Sequence, residues 1–111
     1  MIADAGDLPA FVPPRSPRFR SVLALLWQAR RYAEDVGAAP WDFALEAEFF
    51  GDSLDDLRWL VANQWCEARV ETSVVGLAHR SFQQISGLDF GQRTCFVLTD
   101  QGARFAGQIL R

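Results

Sequence analysis

Lysine is absent from this 111-residue chain, and all eleven basic side chains are arginine, a bias that carries no functional reading by itself. Histidine occurs once, at His79, with no nucleophile–base arrangement and no glycine-rich phosphate loop. No catalytic residues, metal site or cofactor are therefore expected, and the chain reads as a non-enzyme. The two cysteines, Cys66 and Cys95, have neither metal-ligand spacing nor a paired-thiol motif, and each falls in an expected strand as a small hydrophobe. No apolar run approaches membrane-spanning length, so no membrane partner is expected. The first ten residues lack the basic-then-apolar order of a secretory leader, so a cytoplasmic location is expected. A net charge of -3 gives no general attraction to nucleic acid.

Half of the residues are hydrophobic, with nine Phe and four Trp, enough for one domain with a modest core. Residues 1–15 hold three of the five prolines and few core candidates, and read as a flexible amino-terminal arm before a domain over 16–111. Charge is distributed in blocks. Arg15, Arg18, Arg20, Arg30 and Arg31 come first with no acid among them. Eight acids, from Glu34 to Asp56, follow with no base among them.

Ser16 and Pro17 read as a helix start, and Phe19, Val22, Leu23, Leu26, Ala29 and Ala33 recur at helical spacing up to Gly37. Arg30 with Glu34 and Arg31 with Asp35 stand one turn apart. Pro40 opens an expected second helix carrying Trp41, Leu45 and Phe49 on one side. Gly51, Asp52 and Ser53 form a turn, and Ser53 with Asp56 suggests a capping box for a third helix whose inward stripe is Leu54, Leu57, Leu60 and Val61. Residues 66–72 alternate as a half-buried strand does. An apolar turn at Val74, Val75 and Leu77 follows, then a further strand within 80–86 and a return strand at 94–98. Thr99 caps a closing helix that buries Phe105, Ala106 and Ile109, with Gly102 allowing close approach.

Leu54-Asp55-Asp56-Leu57-Arg58-Trp59-Leu60-Val61 followed by Trp65-Cys66-Glu67-Ala68 resembles the third helix and first wing strand of the winged helix-turn-helix superfamily. Leu98-Thr99, two residues and Gly102 is similar to the opening of the final helix in many bacterial regulators of that type. By order of elements the resemblance covers residues 18–110. It implies an α+β, winged-helix-like domain of four helices with a small two- or three-stranded antiparallel sheet.

In that arrangement the third helix would read a DNA groove, with Arg58 and Asn63 reaching bases or phosphates and Arg69, Arg80 and Arg93 on the wing, beside His79, touching backbone. Asp52, Asp55 and Asp56 would then face phosphates, which disfavours DNA as the partner. A protein partner or a second copy, giving a homodimer, is the preferred expectation. Its contact residues are Trp59, expected on the outward side of the third helix, the flank Arg20, Trp27 and Arg31, and the turn residues Val75 and Leu77. Phe82 or Phe90 folding over Trp59, and local stacking of Arg31 on Trp27, are the ordinary alternatives.

Overall fold

A computed structural model describes residues 16–74, 76, 79–85 and 87–110. The expected arm over 1–15 and the turn residues Val75 and Leu77 lie outside the described residues. No helix among the described residues is long and apolar enough to cross a membrane.

Helix α1, Phe19–Val36, buries Phe19, Val22, Leu23, Leu26 and Ala33 along one side. Its start is later than Ser16 and Pro17 suggest: Arg18 occupies the cap position, and the Ser16 hydroxyl accepts from the Arg18 amide at 3.1 Å. The helix closes as expected at Gly37. There φ is 73°, and the amides of Gly37 and Ala38 donate to Glu34 and Ala33.

The expected second helix does not form. Residues 40–50 are instead a 3-10 turn, Pro40–Phe43, a two-residue strand β1, Leu45–Glu46, and a second 3-10 turn, Ala47–Phe50. Strand pairing decides this, because Leu45 and Glu46 lie opposite Phe96 and Cys95 and extend the sheet. Phe50 and Ala47 then point inward, while Phe49, expected on the apolar side, is 60% exposed.

Helix α2, Leu54–Ala62, buries Leu57 and Leu60 completely. Ser53 is its cap residue, yet the hydroxyl makes no capping bond, so the expected capping box is absent. At φ -94° and ψ 23° the Ser53 backbone is not in the extended form that aims a cap side chain at the helix amides. The helix exits through Gln64, which holds φ 63°, and the Trp65 amide turns back onto the Leu60 carbonyl at 2.9 Å. That left-handed step leads directly into β2, Cys66–Glu71.

With β3, Phe82–Gln84, and β4, Thr94–Leu98, the sheet is antiparallel and four-stranded in the order β1-β4-β2-β3. It is larger than the expected two or three strands because β1 comes from the segment expected to be helical. The molecule is therefore an α+β globule with three α-helices and a four-stranded sheet among the described residues. Every residue of β4 is buried. Phe96 and Leu98 face the helices and pack with the Leu23, Leu26, Leu57, Leu60 and Ala106 cluster. Cys95 and Val97 face the other way, against Ala44, Trp41 and Phe82.

Helix α3, Asp100–Ile109, begins as expected, with the Thr99 hydroxyl accepting from the Gly102 amide at 3.0 Å and donating to the Gln64 carbonyl at 2.9 Å. Gly102 is the close approach that the sequence suggests. A Cβ there would stand 1.7 Å from the Trp65 carbonyl oxygen, a distance no side chain tolerates.

Candidate interaction surfaces

The outer side of α2 is largely committed to the protein itself. Arg58 donates to the Asp55 carboxylate at 2.7 Å and to the Leu88 carbonyl at 3.0 Å, with its guanidinium 5.7 Å from the Phe90 ring. The Asn63 amide donates back to the Trp59 carbonyl at 2.8 Å and so closes the end of its own helix. Asp52 and Asp55 have side chains 94% and 95% exposed, whereas Asp56 is buried. The solvent-facing opening of α2 is thus acidic, with Arg58 held against Asp55 and Arg18, at the cap of α1, only loosely paired to Asp52 at 3.7 Å.

Trp59 does not project outward as its position on an isolated helix suggests. It is half-buried and packs against the core. Phe19 and Trp65 meet it edge-on at 5.6 and 5.2 Å, and Phe105 lies 6.3 Å away. Neither Phe82 nor Phe90 supplies the cover. The left-handed Gln64 brings Trp65 back beside α2, and α1 and α3 deliver Phe19 and Phe105 from the two chain ends. Phe90 packs instead on Phe96, and Phe82 on Trp41.

The remaining arginines proposed for a wing separate into two groups. Arg93 is exposed, and its Nε donates to the Glu71 carbonyl at 3.0 Å; His79 is also exposed. Arg69 and Arg80 are turned onto the outer face of the sheet. Arg69 pairs with Glu67 at 2.8 Å and lies 4.3 Å from the Trp41 ring. Arg80 engages both Glu71 oxygens at 2.9 Å and donates to the Ala44 carbonyl at 3.0 Å. The Arg80 contact holds the Glu71 carboxyl down to about 2, against burial that would raise it, with the Ser73 hydroxyl assisting. Burial pushes the Cys95 thiol up to about 11 and the Cys66 thiol still further, so neither is a ready thiolate.

Glu46, Glu71 and Cys95 bring three donor atoms within 4.8 Å of one another, a spacing that a metal ion could use. The Arg80 guanidinium already supplies the positive charge in that position, so the cluster is satisfied as an arginine–carboxylate node. The sequence offers no warning of this group, whose members Glu46, Glu71, Arg80 and Cys95 come from separate segments of the chain.

Of the expected Arg20, Trp27 and Arg31 flank on α1, Arg31 stacks locally on Trp27, whereas Arg20 is turned to the end of α3. The Arg31 guanidinium lies 5.3 Å from the half-buried Trp27 ring, while Arg20 reaches the Ile109 carbonyl at 2.7 Å. Arg31 makes no ion pair with Asp35 among the described residues. The neighbouring Arg30 has a larger role than its expected pairing with Glu34, which forms at 3.3 Å. It also donates to the Leu98 carbonyl at 2.8 Å and binds the Asp100 carboxylate, tying α1 to the β4–α3 junction.

No protein-family model, no curated protein and no solved structure matches this chain.

Proposed function

We propose that this domain is a non-catalytic interaction module of winged-helix type, whose partner is protein, another copy of itself included. The chain order supports the fold reading: helix, short strand, helical turn, helix, then a ribbon whose last strand pairs with the short one. The observation that carries the functional reading is the state of α2. Its potential base-reading side chains, Arg58 and Asn63, are spent on internal hydrogen bonds, while Asp52 and Asp55 are left facing solvent. A helix so charged repels phosphate, the group that supplies most DNA affinity.

A salt titration of random duplex DNA tests this reading, using the full chain and the Asp52→Asn/Asp55→Asn double variant. Neither protein is expected to bind at low salt. Duplex binding that weakens steeply with salt and tightens on the double substitution would overturn the reading in favour of a DNA-binding regulator, with Arg93 and Arg69 as its backbone contacts.

A further inference from the structure

Four residues of α1 remain outside the packing described above. Leu25, Ala29, Tyr32 and Val36 succeed one another at spacings of four, three and four, so they form a single line along the helix. Leu25, Tyr32 and Val36 are 39%, 56% and 53% exposed, and Ala29 is half-buried between them. The Tyr32 ring stands edge-on to Phe43 at 4.9 Å, which widens the strip and holds the phenol in place. This is the spacing of a two-helix seam, on the flank of α1 that the sheet and the other helices leave uncovered.

The charges of α1 add a second observation. Arg18 and Arg20 lie at its amino end, Glu34 and Asp35 in its last turn, with no acid in the first turn and no base in the last. Each end therefore carries the sign that its own macrodipole disfavours. A second α1 laid antiparallel reverses the relation, since it places acids beside the amino end and a base beside the carboxyl end.

We propose that this strip is the interface with a second copy of the chain, the two α1 helices packing antiparallel about a two-fold axis near Gln28 and Ala29. The inference rests on reading the domain as an interaction module, and names the partner. Leu25 then faces Tyr32 of the second copy, and Ala29 lets the two backbones come close. Asp35 stands within about one helical turn of Arg18 of the second copy, and two-fold symmetry repeats every contact. Both groups are available. Asp35 has no ion pair among the described residues, and Arg18 has only a loose one to Asp52 at 3.7 Å. A helix of 18 residues is about 27 Å long, and such a one-helix contact lies at the small end of specific interfaces. Micromolar dimerisation is the corresponding expectation.

Sedimentation equilibrium of the full chain, from about 1 to several hundred micromolar, is expected to show a reversible monomer–dimer equilibrium. Leu25→Glu and Val36→Glu, both on exposed positions, should each weaken it by about tenfold or more. Arg18→Glu and Asp35→Arg should each weaken it several-fold, while the two together restore it. Both charge changes favour the isolated helix by the dipole argument, so a weaker dimer would not reflect misfolding. A monomer at every concentration overturns the proposal, as does a dimer indifferent to Leu25→Glu and Val36→Glu. A double charge exchange no better than the single ones overturns the antiparallel arrangement. A monomer that also ignores duplex DNA removes this interface alone, whereas salt-sensitive duplex binding removes the interaction-module reading itself.

Discussion

Cys95 and Phe96 are neighbours on β4 and equally hidden from solvent, yet their side chains enter two different environments. Phe96 points into a layer of leucines and aromatic rings, with Phe50 and Phe90 edge-on at 5.8 and 5.0 Å. Cys95 points at an arginine and two glutamates, one of them, Glu71, buttressed by the Ser73 hydroxyl. The first face has three helices to cover it and is held by area removed from water. Among the described residues the second has only the Pro40–Phe43 turn and the side chains of its own strands, and relies on charge matched at close range. A four-stranded sheet with too few helices for two covers can thus bury both faces, provided the second one makes its own polar partners.

The largest effect should come from the apolar face. Phe96→Ala removes a ring that nothing nearby can replace and should cost about 3–5 kcal/mol in urea unfolding. On the polar face the manner of substitution should matter more than its size. Arg80→Ala leaves the Glu71 carboxylate, 12% exposed, without its cation and should cost about 2–3 kcal/mol, less than a fully buried pair because Arg80 retains some solvent. Replacing both residues by Met should recover most of that loss. If the double variant is no more stable than Arg80→Ala, the pair contributes more than mutual neutralisation and the contrast between the faces weakens.

Acid offers a finer test. The folded-state value of Glu71 is about 2 against an ordinary 4.5. Its contribution is therefore complete above about pH 4.5 and disappears as pH falls towards 2. At full strength it is at most about 3 kcal/mol. Glu71→Gln should flatten the stability–pH curve in that window and leave Phe96→Ala with the slope of the unsubstituted protein. The smallest effect belongs to the hinge between α2 and β2. Gln64→Gly relieves a left-handed backbone and should raise stability in urea unfolding by about 0.5 kcal/mol, the Gly entropy cost offsetting part of the relief.

How legible each part was in the sequence follows from how local its cause is. Gly37 and Thr99 act on residues within a turn of themselves, and their roles as helix stop and cap agree with the structure. Gly102 marks a close approach in the sequence, but its partner, the Trp65 carbonyl, is distant in the chain and not legible there. The alternation of residues 66–72 likewise reports a strand whose neighbours are present on both sides. The segment over 40–50 failed because Trp41, Leu45 and Phe49 at four-residue intervals suit a helix as well as two short turns. Only β4, some fifty residues later, decides that Leu45 and Glu46 are extended. Trp59 failed for a related reason: an indole reaches sideways around its helix, and the three rings that enclose it come from α1, the Gln64 turn and α3. The line of Leu25, Ala29, Tyr32 and Val36 is not read from the sequence, where Ala29 suits the core stripe, and only burial separates the two faces of α1.

The position of β4 in the sheet bears on the protein's synthesis. It is one of the two interior strands, hydrogen-bonded to β1 on one side and β2 on the other, and it leaves the ribosome after both. Until it emerges, β1 has no partner strand, β2 has only β3, and the Leu98 carbonyl that Arg30 grips does not exist. Nascent α1 and α2 must wait with their leucines exposed until β4 is made, about thirty residues after α2 ends and nearly sixty after α1 ends. The domain should therefore acquire protease resistance in a single late step, when β4 and α3 clear the exit tunnel together.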